Sequence, residues 1–211
     1  MWSSASPTER VHAYRRAILG FLFLLLFLGG CATPQAPAPT PSGTWASRRD
    51  ALLELSEWQL QGRIALNAGK DGWSGNFTWK QVDDDLDFRF NGPLGIGGFR
   101  IYGNEKRLRV ETSDGERFDL NDPESDLRQR YGWSIPLYSM RYWMLGVPDP
   151  QSHSSETLDD AQELISLEQR GWRVGYEGYG ETEGAVLPHK VTMDGEGLRI
   201  KVIAEQWQVG P

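Results

Sequence analysis

Along most of the chain apolar residues recur at every second position. WQLQGRIAL sets Trp58, Leu60, Gly62, Ile64 and Leu66 on one side, and WSGNFTW does the same with Trp73, Gly75, Phe77 and Trp79. DLDFRFN, GFRIYG, KRLRVET and ERFDL carry the alternation on through Leu86, Phe88 and Phe90, Phe99 and Ile101, Leu108 and Val110, and Phe118 and Leu120. A period of two is that of a strand with one buried face, and the Gly, Asp and Asn clusters between the runs are hairpin residues. These runs predict six short strands in an antiparallel meander. ELISLEQ, WRVGYEGY, HKVTM and GLRIKVIAEQW add four more, the last alternating Leu198, Ile200, Val202 and Ala204.

Three stretches break this period. Between Trp45 and Trp58, Leu52, Leu53 and Leu55 lie among Arg48, Arg49, Glu54 and Glu57, which predicts one amphipathic helix. DPESDLRQRYG offers Asp122 as N-cap, Pro123 at the first helical position and Gly132 past the end. IPLYSMRYWMLGVP sets Leu137, Met140, Trp143 and Met144 on one face of a helix stopped by Gly146 and Pro148. About ten strands and three short helices predict a mainly β domain, a curved sheet or incomplete antiparallel barrel with helices laid against it.

The first thirty residues belong to another kind of element. Ala17 to Leu28 is an unbroken apolar run behind Arg10, Arg15 and Arg16, with too few residues to span a bilayer as a stable helix. It runs through LGG into Cys31, the only cysteine. This order resembles the lipobox of bacterial lipoproteins, which implies N-palmitoyl and S-diacylglycerol groups on Cys31. Three acyl chains would make the anchor effectively permanent. Ala32 follows, not the aspartate of an inner-membrane retention signal, so the expected address is the periplasmic face of the outer membrane. The expected divisions are a signal peptide over 1–30, a lipidated cysteine and Pro-rich tether over 31–44, and one domain over 45–211. By composition, ATPQAPAPTPSGT is a semi-extended spacer.

Losing the leader removes three basic residues and one acid, leaving 19 Lys/Arg against 28 Asp/Glu and a formal charge of −9. That balance disfavours nucleic acid or phosphate as a partner. A single cysteine excludes an internal disulfide and a cysteine metal site. The domain's histidines, His153 in a polar loop and His189 beside Pro188 at a strand start, form no recognisable dyad, and no G-x-S-x-G, H-E-x-x-H or P-loop occurs. The run Asp83, Asp84, Asp85 reads as a solvated turn between strands before it reads as a cation site. The glycines of NGPLGIGGF lack dinucleotide-loop spacing and no helix follows them. No enzyme, cofactor or metal is expected.

What the composition does supply is apolar bulk. Eight of the nine tryptophans follow the leader, and alternation would turn them inward on strands. They either fill an ordinary core or line a barrel wide enough to keep space for an apolar ligand. Met140, Trp143 and Met144 would then form an adaptable cover across the opening, or else complete the core. The loop Asn91–Phe99 carries Leu94 and Ile96 at what should be a polar tip. Held between glycines, these two side chains either dip into lipid or fold back onto the barrel floor.

WQLQGRIAL, FTWKQ, NGPLG, IPLYSMRYWMLGVP, QRGWRVGYEGY, VLPHKVTM and RIKVIAEQW, in that order from Trp58 to Trp207 behind a lipobox, resemble the LolB family of outer-membrane lipoprotein receptors. The resemblance implies about eleven strands in an incomplete barrel whose concave face and helical lid enclose a hydrophobic cavity. It implies receipt of lipoproteins from a LolA-like periplasmic carrier, with their acyl chains held in the cavity, and deposition in the outer membrane assisted by Leu94. Ile96 and two further glycines follow, where the family's loop is variable. A monomer is expected. Other functions compatible with the residues are an amphiphile-binding lipoprotein without a donor, a scaffold lipoprotein, and a hydrolase using His153 or His189.

Overall fold

The computed structural model describes residues 44–210. Helix α1 (Trp45–Leu53) starts at Thr44, whose hydroxyl accepts from the Ser47 amide, and ends before the first strand, so Trp58 belongs to the sheet and not to the predicted helix. Six strands then run as a meander: β1 (Glu57–Ala68), β2 (Asp71–Val82), β3 (Asp85–Asn91), β4 (Phe99–Asn104), β5 (Arg107–Thr112) and β6 (Arg117–Leu120). Helices α2 (Pro123–Tyr131) and α3 (Leu137–Leu145) follow. The chain returns through β7 (Ser154–Leu158), β8 (Leu164–Gln169), β9 (Trp172–Thr182), β10 (Ala185–Gly195) and β11 (Leu198–Val209).

All eleven strands form one antiparallel sheet in the order β6-β5-β4-β3-β2-β1-β11-β10-β9-β8-β7. The last strand pairs with the first, and the two free edges, β6 and β7, are consecutive in the chain. The sheet curls without closing, and the segment between its edges carries α2 and α3. Both edge strands are short, and β7 is polar, which discourages pairing with another chain. Strand β1 shifts register against β11 at Gln61/Gly62. A Cβ on Gly62 would stand 2.0 Å from the Ile203 carbonyl oxygen, so only glycine permits this approach.

Ten of the strands are those predicted from alternation. The eleventh, β7, reads SSETL, which has no apolar period because it is an edge strand with only partial burial. His189 lies inside β10 and not at a strand start, because pairing with β9 begins at Ala185. Pro188 is tolerated there since β10 pairs with β11 only from Lys190 onward, leaving its missing N–H without a claimant on that side. Trp207 Nε1 donates to the Pro188 carbonyl at 3.3 Å across the gap.

The core is unevenly filled. Along β8–β11 and the lower part of β1, buried Leu164, Leu167, Val174, Leu187, Val191 and Met193 pack solidly. Trp58 meets Trp79 at 5.3 Å and Trp207 at 5.5 Å between ring centres, closing one end of the interior with aromatic rings. Five of the eight post-leader tryptophans lie on strands; Trp45 and Trp143 are helical and Trp133 sits in the α2–α3 connection. A second, smaller apolar group of Leu86, Leu108, Val110, Leu120 and Leu127 lies beneath α2. On the outer face, Arg100 and Arg89 bracket Asp87 at 2.8 and 3.1 Å, and chiefly the Arg100 hydrogen bond lowers its pKa from 3.8 to about 2.

Candidate functional site

Between the two apolar groups the concave face keeps a hollow of about 340 Å³. Its walls are the inward residues of β1–β5, among them Ile64, Leu66, Phe88, Phe90, Phe99 and Ile101. The rings are mutually packed, Phe88 against Phe77 at 5.6 Å and Phe90 against Phe99 at 5.1 Å, so the wall is preformed. Trp79 forms part of the floor, with its Nε1 donating to Gln81 Oε1 at 3.1 Å, which leaves no orphan donor facing the space. Phe118, Leu127, Tyr131, Trp133, Ile135, Leu137 and Met140 complete the enclosure from β6 and the helical segment. Hydrocarbon suits a site with so little polarity and no charged wall residue.

The two helices over this space are held very differently. Helix α3 is clamped. Gln169, buried at the end of β8, accepts from Trp143 Nε1 at 2.7 Å and from the Asp149 amide at 2.9 Å, and donates to the Asp149 and Ser152 carbonyls at 2.8 Å each. Ser139 on the same helix donates to Asp149 Oδ2 at 2.7 Å. Trp143 and Met144 are consequently buried in the packed core, and of the three residues predicted as cover only Met140 reaches the hollow. The physical reason is that network, which pulls the C-terminal half of α3 into β8 and β9.

Helix α2 buries only Pro123 and Leu127. Exposed contacts do the rest: Arg128 to Glu196 at 3.2 Å, Arg170 to Glu124 at 2.9 Å, and Arg130 stacked 4.3 Å above the Phe118 ring. Pairs of this kind contribute little each. The cover with the weaker hold is therefore α2 and its connection to α3, a role that the sparse apolar content of PESDLRQRY did not announce.

The loop after β3 stands beside the mouth of the hollow. Two overlapping turns build it, Gly95 N donating to Gly92 O at 3.0 Å and Ile96 N to Pro93 O at 3.2 Å. Both turns require a left-handed residue at position 94, and Leu94 adopts φ 56°, ψ 20°. A Cβ on Gly92 would fall 1.9 Å from the Ile96 carbonyl oxygen, so the loop closes only over glycine there. Leu94 is 98% exposed and Ile96 74% exposed. Gly97, the next residue, already belongs to the wall of the hollow.

The remaining sequence candidates take no part in this site. Asp83 and Asp84 form the β2–β3 turn, where Arg141 donates to the Asp83 carbonyl at 3.0 Å and to Asp84 at 2.9 Å. His153 precedes β7, and His189 is exposed on β10 with its ring over Gly180. Cys31 and the tether up to residue 43 lie outside the described residues. Among the described residues no helix is long and apolar enough to cross a membrane.

The model of the family described as "Outer membrane lipoprotein LolB" matches residues 56–207. The chain belongs to the LolB family of outer-membrane lipoproteins. An outer-membrane lipoprotein LolB of Nitrosococcus oceani is 35% identical over 192 residues, spanning 90% of this chain and 96% of that relative. The LolB of Pseudomonas paraeruginosa is 36% identical, with 87% and 92% covered. Among solved structures, a LolA superfamily protein from Nitrosomonas europaea superposes with a TM-score of 0.50 at 11% identity, covering 81% of this chain and 95% of that one. A DUF1329 family protein from Desulfovibrio piger gives 0.51 at 8% identity, covering 78% and 90%. These two likenesses establish a shared open-sheet fold.

Proposed function

We propose that this LolB-family lipoprotein receives other lipoproteins from a LolA-type periplasmic carrier, shelters their acyl chains in the hollow and deposits them in the outer membrane through the Leu94 loop. The observation that carries this reading is the juxtaposition of a hydrocarbon-lined hollow with an exposed apolar loop at its mouth. Family membership and the LolA-like fold support it.

Energetics require such a shelter. Exposing an acyl chain of ~15 methylenes costs on the order of 12 kcal/mol at ~0.8 kcal/mol per group. Release of three chains into water would exceed the range of non-covalent affinities. Chains must pass between apolar surfaces while water is excluded, and an advantage of ~1.4 kcal/mol for the receiver biases the step tenfold without nucleotide. At about 340 Å³ the hollow lies near the lower end of the ~300–1,000 Å³ that accommodates one drug-sized ligand. A triacylated cargo therefore needs α2 lifted, which the exposed ion pairs permit. Cys31 would carry the anchoring lipids and residues 31–44 the spacer.

Mixing a carrier loaded with fluorescently acylated lipoprotein with this chain tests the proposal. The label should move to the chain without ATP. An amphiphile-binding lipoprotein with no donor would take up free fatty acid but leave the loaded carrier untouched, and that result would overturn the transfer reading.

A further inference from the structure

Six large apolar side chains are exposed among the described residues, and four of them gather at one end of the sheet. Leu94 and Ile96 belong to the loop already discussed; the other two are Trp73, 50% exposed, and Tyr131, 53% exposed. Strand register locates Trp73. It pairs with Leu66 near the β1–β2 hairpin, three residues beyond Asn76, which pairs with Asn91 at the base of the Leu94 loop. Tyr131 ends α2 and stacks on Trp133 at 5.3 Å. Trp73, Tyr131 and Trp133 all line the hollow, so the exposed rings form a collar at its mouth.

We infer that this collar is a bilayer-docking ring: Trp73 and Tyr131 seat in the headgroup interface while Leu94 and Ile96 enter the acyl region, so that the mouth opens directly onto lipid. The inference rests on the proposed acyl-chain function and adds the surface by which the domain meets the membrane. Indole and phenol rings have an apolar body and a polar tip, which suits the interfacial layer where one side is wet and the other oily. A core would have covered them.

Chain length outside the described residues favours the bilayer over other occupants. Twelve residues separate Cys31 from Thr44, a reach of ~40 Å for a Pro-rich spacer. The longest strands, of twelve residues, span a similar ~40 Å. A lipid-anchored domain thus stays within its own length of the membrane and can turn this end toward it.

The test uses the full lipidated chain in vesicles of phosphatidylethanolamine and phosphatidylglycerol. Because Cys31 is acylated, Trp73→Cys, Tyr131→Cys, Leu94→Cys and Val82→Cys each offer one free thiol for a nitroxide. Val82 is 37% exposed at the opposite end of β2 from Trp73 and serves as the control. The labels at 73, 131 and 94 should lose collisions with an aqueous nickel complex and gain them with oxygen, while the label at 82 stays aqueous. Labels at 73 and 131 as water-accessible as that at 82, with 94 shielded, would overturn the collar and leave the loop reading standing. An aqueous label at 94 as well would overturn both. Shielding from nickel without oxygen gain would indicate a second protein copy and refute the lipid assignment. Should the Trp73 label impair folding, brominated phospholipid supplies a second readout: it should quench unlabelled protein, and Trp73→Phe should lower that quenching, whereas quenching unchanged by the substitution would overturn the seat assigned to Trp73.

Discussion

Replacing Leu94 with asparagine separates what the side chain does for the fold from what it does for the membrane. Leu94 sits in the left-handed region, where a branched side chain costs about 1–2 kcal/mol and asparagine much less. With 98% of its surface exposed, it contributes almost no folded contact to offset that strain. Leu94→Asn should therefore stabilise the domain by about 0.5–1 kcal/mol, raising Tm by about 1–4 °C for a chain of this size. The bilayer sees the opposite. Burying one leucine in hydrocarbon is worth about 1.5–3 kcal/mol, so within the anchored protein a tip losing ~2 kcal/mol holds to lipid about 30-fold more weakly. Thermal unfolding gives the first number, and the rate of insertion of a fluorescent lipoprotein into liposomes the second. A variant that melts lower than wild type by more than ~1 kcal/mol would mean that Leu94 packs in the folded state. Insertion at the wild-type rate would show that the tip does not enter lipid.

Other substitutions probe the hollow, its clamp and the outer face. Ile101→Trp should fill space that is now empty, changing stability by about 1 kcal/mol or less but cutting fatty-acid uptake about tenfold or more in a fluorescence titration; undiminished uptake would place the ligand elsewhere. Gln169→Leu leaves two buried donors and two acceptors unpartnered and should cost about 3 kcal/mol or more in urea unfolding, whereas a loss under ~1 kcal/mol would show that α3 is not clamped by this network. Asp87 has its pKa depressed from 3.8 to about 2, so the stability it contributes is fully present above pH ~4 and disappears as pH falls through 2. Asp87→Asn should accordingly be less stable than wild type by on the order of 1 kcal/mol at pH 6, after solvent screening, with the difference vanishing as pH falls below 2; a pH-independent difference would refute the charge assignment.

Alternation made most of the sheet legible, because every strand with a buried face repeats apolar residues at every second position. The capping signals of α2 were equally readable: Asp122 accepts from Ser125 N at 3.2 Å, and Gly132 takes φ 78°. What failed to show were features without a periodic signature. Strand β7 is polar because its edge position demands little burial. Alternation correctly sets Trp73 on the concave side, yet it is half exposed because β2 runs on past β3 there. Which helix covers the hollow depended on a polar network around Gln169, distant in sequence from Trp143, and no local pattern marks such a clamp. Whether the interior was full or hollow was undecidable from composition, since the same phenylalanines serve either purpose. Only their spacing across β3, β4 and β6 leaves the room.

The central claim is that the acyl chains of cargo occupy this hollow. The most direct measurement is photocrosslinking from a diazirine on the acyl chain of a lipoprotein delivered by its loaded carrier to the full-length protein, with the adducts mapped by mass spectrometry. The account predicts adducts on Phe88, Phe99, Ile101 and Phe118, lost on Ile101→Trp. Adducts confined to the outer face of the sheet, or transfer that proceeds with none on the concave face, would contradict it.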